Sequence, residues 1–117
     1  MNFADTIIKE AVEDGHSFMV LEPRDVFAPA VMEFHRKESR LVYKVDMLLA
    51  CLSQAYGWGP VQSLEWFDYN VFDLTFMDGG PIFYDEFEDK YLTIDKWYVI
   101  IRLRTKHWRT NETYCTH

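Results

Sequence analysis

The sequence predicts a single α+β domain in which a small antiparallel or mixed sheet packs against two or three helices. Three observations lead there. Apolar residues recur at three- and four-residue spacing in residues 2–14, 47–56 and 60–74. Short extended-prone runs lie between and after them, at 31–36, 41–45 and 97–105. Glycine and proline mark the joins at Gly15, Gly57-Trp58-Gly59-Pro60 and Asp78-Gly79-Gly80-Pro81. A chain of 117 residues, 49% of them apolar, suits one core and needs no metal or disulfide to hold it.

Taken in order, Phe3, Ile7, Ile8, Ala11 and Val12 place a helix over 2–14, with Gly15 as its stop. Residues 17–21 read as a short strand. Pro23 and Pro29 exclude a long regular element between them, because each proline removes a donor and restrains its predecessor. A hairpin is expected over residues 30–45, turning at the polar Arg36-Lys37-Glu38-Ser39. Asp46 is the expected N-cap of a helix over 47–56, which Gly57 ends.

Pro60 fits the first turn of the next helix, where its missing N–H costs nothing. Leu64, Phe67, Val71 and Leu74 should face the core, while Glu65, Trp66, Tyr69, Asn70 and Asp73 form a second, polar-aromatic face. In the glycine turn, two residues free to adopt positive φ precede a fixed proline, and residues 82–84 resume extended structure. Residues 97–105 alternate clearly, with Val99, Ile101 and Leu103 opposite Tyr98, Ile100, Arg102 and Arg104. Residues 110–117 read as a frayed polar tail.

The net charge of −7 is uneven. Residues 78–95 hold Asp78, Asp85, Glu86, Glu88, Asp89 and Asp95 against Lys90 alone, whereas 96–109 hold Lys96, Arg102, Arg104, Lys106 and Arg109 with no acid. The two blocks either neutralise each other across a surface or form separate faces for separate partners. Overall acidity argues against general nucleic-acid binding. The N-terminus lacks a basic region followed by an apolar run, so no secretory signal is expected. No apolar run reaches the roughly 20 residues that a membrane span needs. Cys51 and Cys115 have no metal-ligand spacing and read as free thiols in a reducing cytoplasm.

The acids 85–89 lack EF-hand spacing, and neighbours on a strand point to opposite faces, so a solvated loop or edge is favoured over a metal site. Glu88-Asp89-Lys90, with Asp73 or Asp78 upstream, matches half of a metal-dependent nuclease pattern, but the tripeptide is short and common. His16, His35, His107 and His117 show no zinc-binding pairing. Cys51 reads as a small buried hydrophobe, and Trp58 as a cover for the core. No catalytic residue, metal or cofactor is assigned. The basic strip Arg102, Arg104, Lys106 and Arg109, with Trp108, either blunts a sheet edge or meets phosphate and stacks a base.

Tyr43-x-x-Asp46, then Glu65-Trp66-x-x-Tyr69-Asn70-Val71, then Pro81-Ile82-Phe83 carry a resemblance. Over residues 41–84 the chain resembles a set of small proteins of tailed phages and prophages that have no assigned activity. The resemblance implies a phage gene working in a bacterial cytoplasm. The acidic segment and the basic strand after Tyr84 depart from that shorter pattern. These features favour a non-enzymatic accessory protein that binds and inhibits or redirects a host bacterial protein, for instance an anti-phage defence nuclease. Trp66, Tyr69, Asp73, Asp85, Glu86, Glu88 and Asp89 are the expected contacts. The alternatives are a nucleic-acid-binding regulator using Arg102, Arg104, Lys106 and Arg109, and a small metal-dependent nuclease around Asp78, Glu88 and Lys90. An edge strand and an aromatic helix face are compatible with a homodimer.

Overall fold

A computed structural model describes residues 2–92. Helix α1 spans Phe3–Glu13, with the Asn2 side chain accepting from the Asp5 amide at 2.8 Å. Gly15, at φ 89°, reverses the chain, and the His16 and Gly15 amides close back on the Ala11 and Val12 carbonyls. That paired closure is why the helix stops where the glycine predicts. The buried stripe is Ala4, Ile8 and Ala11, whereas Phe3 and Val12 are exposed. Spacing alone had placed all five apolar residues on one face.

Residues 17–21 do not form the expected strand. Their segment is held by a turn carbonyl and a β2 side chain instead: the Met19 amide donates to the Gly79 carbonyl at 2.9 Å and the Leu21 amide to the Tyr43 hydroxyl at 3.1 Å. Between the prolines lie a single helical turn, α2 (Arg24–Phe27), and a 3-10 turn, Ala28–Ala30. The hairpin follows as expected, with β1 (Val31–His35) antiparallel to β2 (Arg40–Lys44). A register shift between Val31 and Glu33 bulges β1.

Helix α3 is Val45–Tyr56 and starts directly from β2. Its cap position is Lys44, which gives no side-chain bond, and Asp46 lies inside the first turn instead of capping it. There the carboxylate still favours the positive end of the helix dipole. Gly57 ends α3 at φ 72°. Helix α4, Pro60–Asn70, begins with proline as expected but stops four residues before Leu74. The chain continues as a 3-10 turn, Phe72–Phe76, so Val71, Asp73 and Leu74 lie beyond α4.

The α3–α4 connection returns the chain to pair β3 (Ile82–Asp85) parallel with β2, and β4 (Lys90–Tyr91) pairs antiparallel with β3. A parallel neighbour requires such a crossover, so the sheet is mixed, in the order β1-β2-β3-β4. The architecture is α+β. Leu41, Tyr43 and Phe83 on one sheet face pack with Phe27, Leu48, Leu52, Leu64 and Phe67 from the helical layer. Cys51 is buried there, as its neighbours in the sequence imply, and burial pushes its thiol up from its ordinary value. Among the described residues no helix is long and apolar enough to cross a membrane. The strand expected over 97–105 and the tail over 110–117 lie outside the described residues.

Candidate functional site

Two features of the surface combine charge with apolar area. The first is the turn between β3 and β4. Asp85 lies on the core side of β3 with Phe83, and its Oδ1 accepts the Phe87 amide at 3.0 Å, pinning the start of the turn. Glu86, Phe87, Glu88 and Asp89 then form four consecutive turn residues, closed by Asp89 at φ 57°. All four are exposed, and Phe87 stands 81% exposed among carboxylates. Glu86 also works inward, since its Oε1 accepts the Met47 amide in the first turn of α3 at 3.3 Å. Of the four acids expected to make contacts in this segment, one is thus buried, one caps a helix and two face outward.

The β1–β2 turn repeats this design with opposite charge. Arg36, Lys37, Glu38 and Ser39 make four turn residues ending at Ser39, φ 56°, and His35 Nδ1 accepts the Glu38 amide at 3.3 Å. Because β2 and β3 run parallel, the two turns lie at opposite ends of the sheet. Arg36 is already paired with Asp14 at 2.7 Å, so the basic turn is partly neutralised. The described residues as a whole carry seventeen Asp and Glu against seven Lys and Arg, a balance of −10.

The second feature is the polar-aromatic side of α4. Tyr69 is 87% exposed, but Trp66 is half-buried, near-parallel to Phe27 with ring centroids 6.4 Å apart and 5.8 Å from Trp58. Trp58 in turn stacks on Tyr56 at 4.9 Å, so an aromatic row leads outward from the core. Beside Trp66 opens a cleft of about 400 Å³ between α4 and residues 19–22. It is walled by Phe27, Trp66, Val71 and Leu74, with Glu22 and Asn70 as its polar groups. Asp73 lies on the 3-10 turn beyond α4, not on the helix with Trp66 and Tyr69. Sequence reasoning reached Trp66 and Asn70 but missed the cleft, because its other wall belongs to a segment that reads as a strand.

The residues of the nuclease alternative are spread over separate elements. Asp78 lies in the turn before Gly79, Glu88 in the acidic turn and Lys90 on β4, opposite Asp85. Among the described residues no group of three or more His, Cys, Asp or Glu is placed to hold a metal ion. His16 bonds Ser39 through Nδ1 at 2.7 Å, and His35 serves its turn. Arg102, Arg104, Lys106 and Arg109, the residues of the nucleic-acid alternative, lie outside the described residues, as do His107, His117 and Cys115. Compared with known proteins, the chain matches no family model, no curated protein and no solved structure.

Proposed function

We propose that the chain is a non-enzymatic binding protein that docks on a basic surface of another protein. The observation that carries this reading is the β3–β4 turn, where Phe87 projects among Glu86, Glu88 and Asp89 on a hairpin fixed by Asp85. An exposed aromatic ring on an acidic turn offers an apolar contact with long-range attraction for cations. The acidic balance of the described residues supports the same partner chemistry. A nucleic-acid-binding protein has such a surface, and the turn would compete there in place of phosphates. With the phage resemblance over 41–84, the partner is a host bacterial protein met in the cytoplasm, and binding inhibits or redirects it.

Affinity capture of the tagged chain from bacterial lysate, with and without nuclease, tests the reading. One protein retained in near-equal amount after nuclease, and released as salt rises, supports it. Recovery that vanishes with nuclease moves the function to nucleic acid and to Arg102, Arg104, Lys106 and Arg109.

A further inference from the structure

We infer that residues 19–22 and the cleft beside Trp66 form a docking site for an extended peptide segment that carries one large apolar side chain and a nearby base. The inference rests on the reading of the chain as a protein-binding module and names how a partner would be held.

The segment is built of strand-forming residues, Phe18-Met19-Val20-Leu21, yet among the described residues it pairs with no strand. Its two inward amides are taken by the Gly79 carbonyl and the Tyr43 hydroxyl. Met19 and Leu21 are two apart, so in an extended chain both point to the same side and Val20 points to the other. No hydrogen bond among the described residues uses the Val20 amide or carbonyl. A non-helical backbone whose alternate amides are taken, with the amide between them unused among the described residues, suits strand addition.

The cleft supplies the second half of the recognition. It is an open groove, and its volume of about 400 Å³ is enough to take a large side chain. Phe27, Trp66, Val71 and Leu74 offer apolar walls to a side chain from the added segment. Both polar groups present acceptors. Asn70 donates its amide to the Trp66 carbonyl at 3.1 Å and keeps its own oxygen. Glu22 receives the Arg24 amide on Oε2 at 3.0 Å and keeps Oε1. A lysine or arginine beside the apolar anchor matches that pair and the overall acidity.

The test uses the full chain, labelled for NMR, and a pool of capped hexapeptides. Each has Leu, Ile, Phe or Trp at its third position and Lys or Arg at its fifth. The expected result is perturbation of residues 19–22 and Trp66, with hydrogen exchange of the Val20 amide slowed about tenfold or more. Methylating the backbone nitrogens of the best peptide should weaken it about tenfold, the loss of one good hydrogen bond. Val20→Pro should weaken binding about tenfold or more while the chain stays folded, because no hydrogen bond among the described residues uses that amide. The loss of Val20 packing against the core is read separately from the unfolding midpoint. Three results would overturn the inference: no perturbation at millimolar peptide, equal binding of the methylated peptide, or full binding by a folded Val20→Pro. If Val20→Pro still retains a salt-sensitive protein partner, this site fails and the acidic-turn reading stands. If no partner is retained by either protein, both fail.

Discussion

The Tyr91 hydroxyl donates to Glu33 Oε1 at 2.9 Å, joining the last strand of the order β1-β2-β3-β4 to the first. Register places the two residues on the same sheet face, with Val42 and Ile82 between them, and Val42 has no exposed surface. Tyr91 also meets His35 and Tyr84 edge-on. The bond to Glu33, then burial, then the Glu33 charge raise the phenol above its ordinary value of 10.0.

A raised value means that the folded chain holds this proton more tightly than the unfolded chain. The stabilisation is therefore complete below the ordinary value of 10.0 and disappears as pH climbs through the raised one. Tyr91→Phe should cost no more than about 1 kcal/mol at neutral pH, since the pair is exposed. Urea midpoints of the two proteins should converge as pH rises through the tyrosine range. A gap that persists unchanged at the alkaline end would sink the assignment.

Tyr43→Phe should be the more costly change. Tyr43 is 1% exposed, and its hydroxyl receives the amide of Leu21, which is itself buried. Removing the acceptor strands that amide at a cost of about 1–3 kcal/mol. The same loss would loosen residues 19–22. Thermal melting should fall by several degrees, and hydrogen exchange should speed up at Leu21 and Met19 more than in α3. Uniform acceleration across the chain would mean that the hydroxyl supports the core generally and does not tether this segment.

What the sequence revealed follows from the range of the interactions involved. The hairpin, the stops at Gly15 and Gly57 and the start at Pro60 depend on residues within a few positions of each other, and all were legible. The end of α4 was not, because Leu64, Phe67, Val71 and Leu74 keep an apolar spacing that a 3-10 turn also satisfies. Asp85 and Glu86 were both expected as surface contacts. Only the strand register turns Asp85 inward, and only the approach of α3 gives Glu86 an amide to cap. The segment 17–21 has strand composition, but its Met19 and Leu21 amides go to the Gly79 carbonyl and the Tyr43 hydroxyl, partners far away in the sequence.

Glu86 therefore separates a structural acid from a binding acid by experiment. Glu86→Ala should cost about 0.5–2 kcal/mol, the range for losing a helix cap. Glu86→Gln keeps the acceptor and should recover most of that loss in urea unfolding. If capping is its main task, partner binding should track stability across the two variants. Full stability with lost binding in Glu86→Gln would instead make its charge a direct contact.

Gly79-Gly80 looked like two residues needed for positive φ, and only Gly79, at 69°, uses that freedom. Gly80 is required for space. A Cβ there would overlap the Leu74 carbonyl, a backbone group held by its own turn to the Met77 amide at 3.1 Å. No side-chain rotation relieves such a contact, so either the 3-10 turn or β3 must move. Gly57 makes the control, since its Cβ would meet nothing within 4 Å and only its φ of 72° is strained. Gly57→Ala should cost about 1–2 kcal/mol and leave a folded protein. Gly80→Ala should cost more than about 3 kcal/mol, beyond the usual range for a point mutation. Since β3 carries the acidic turn, partner binding should be lost with it. Equal unfolding midpoints for the two variants would show that the approach of Gly80 to Leu74 is not a fixed feature of the fold.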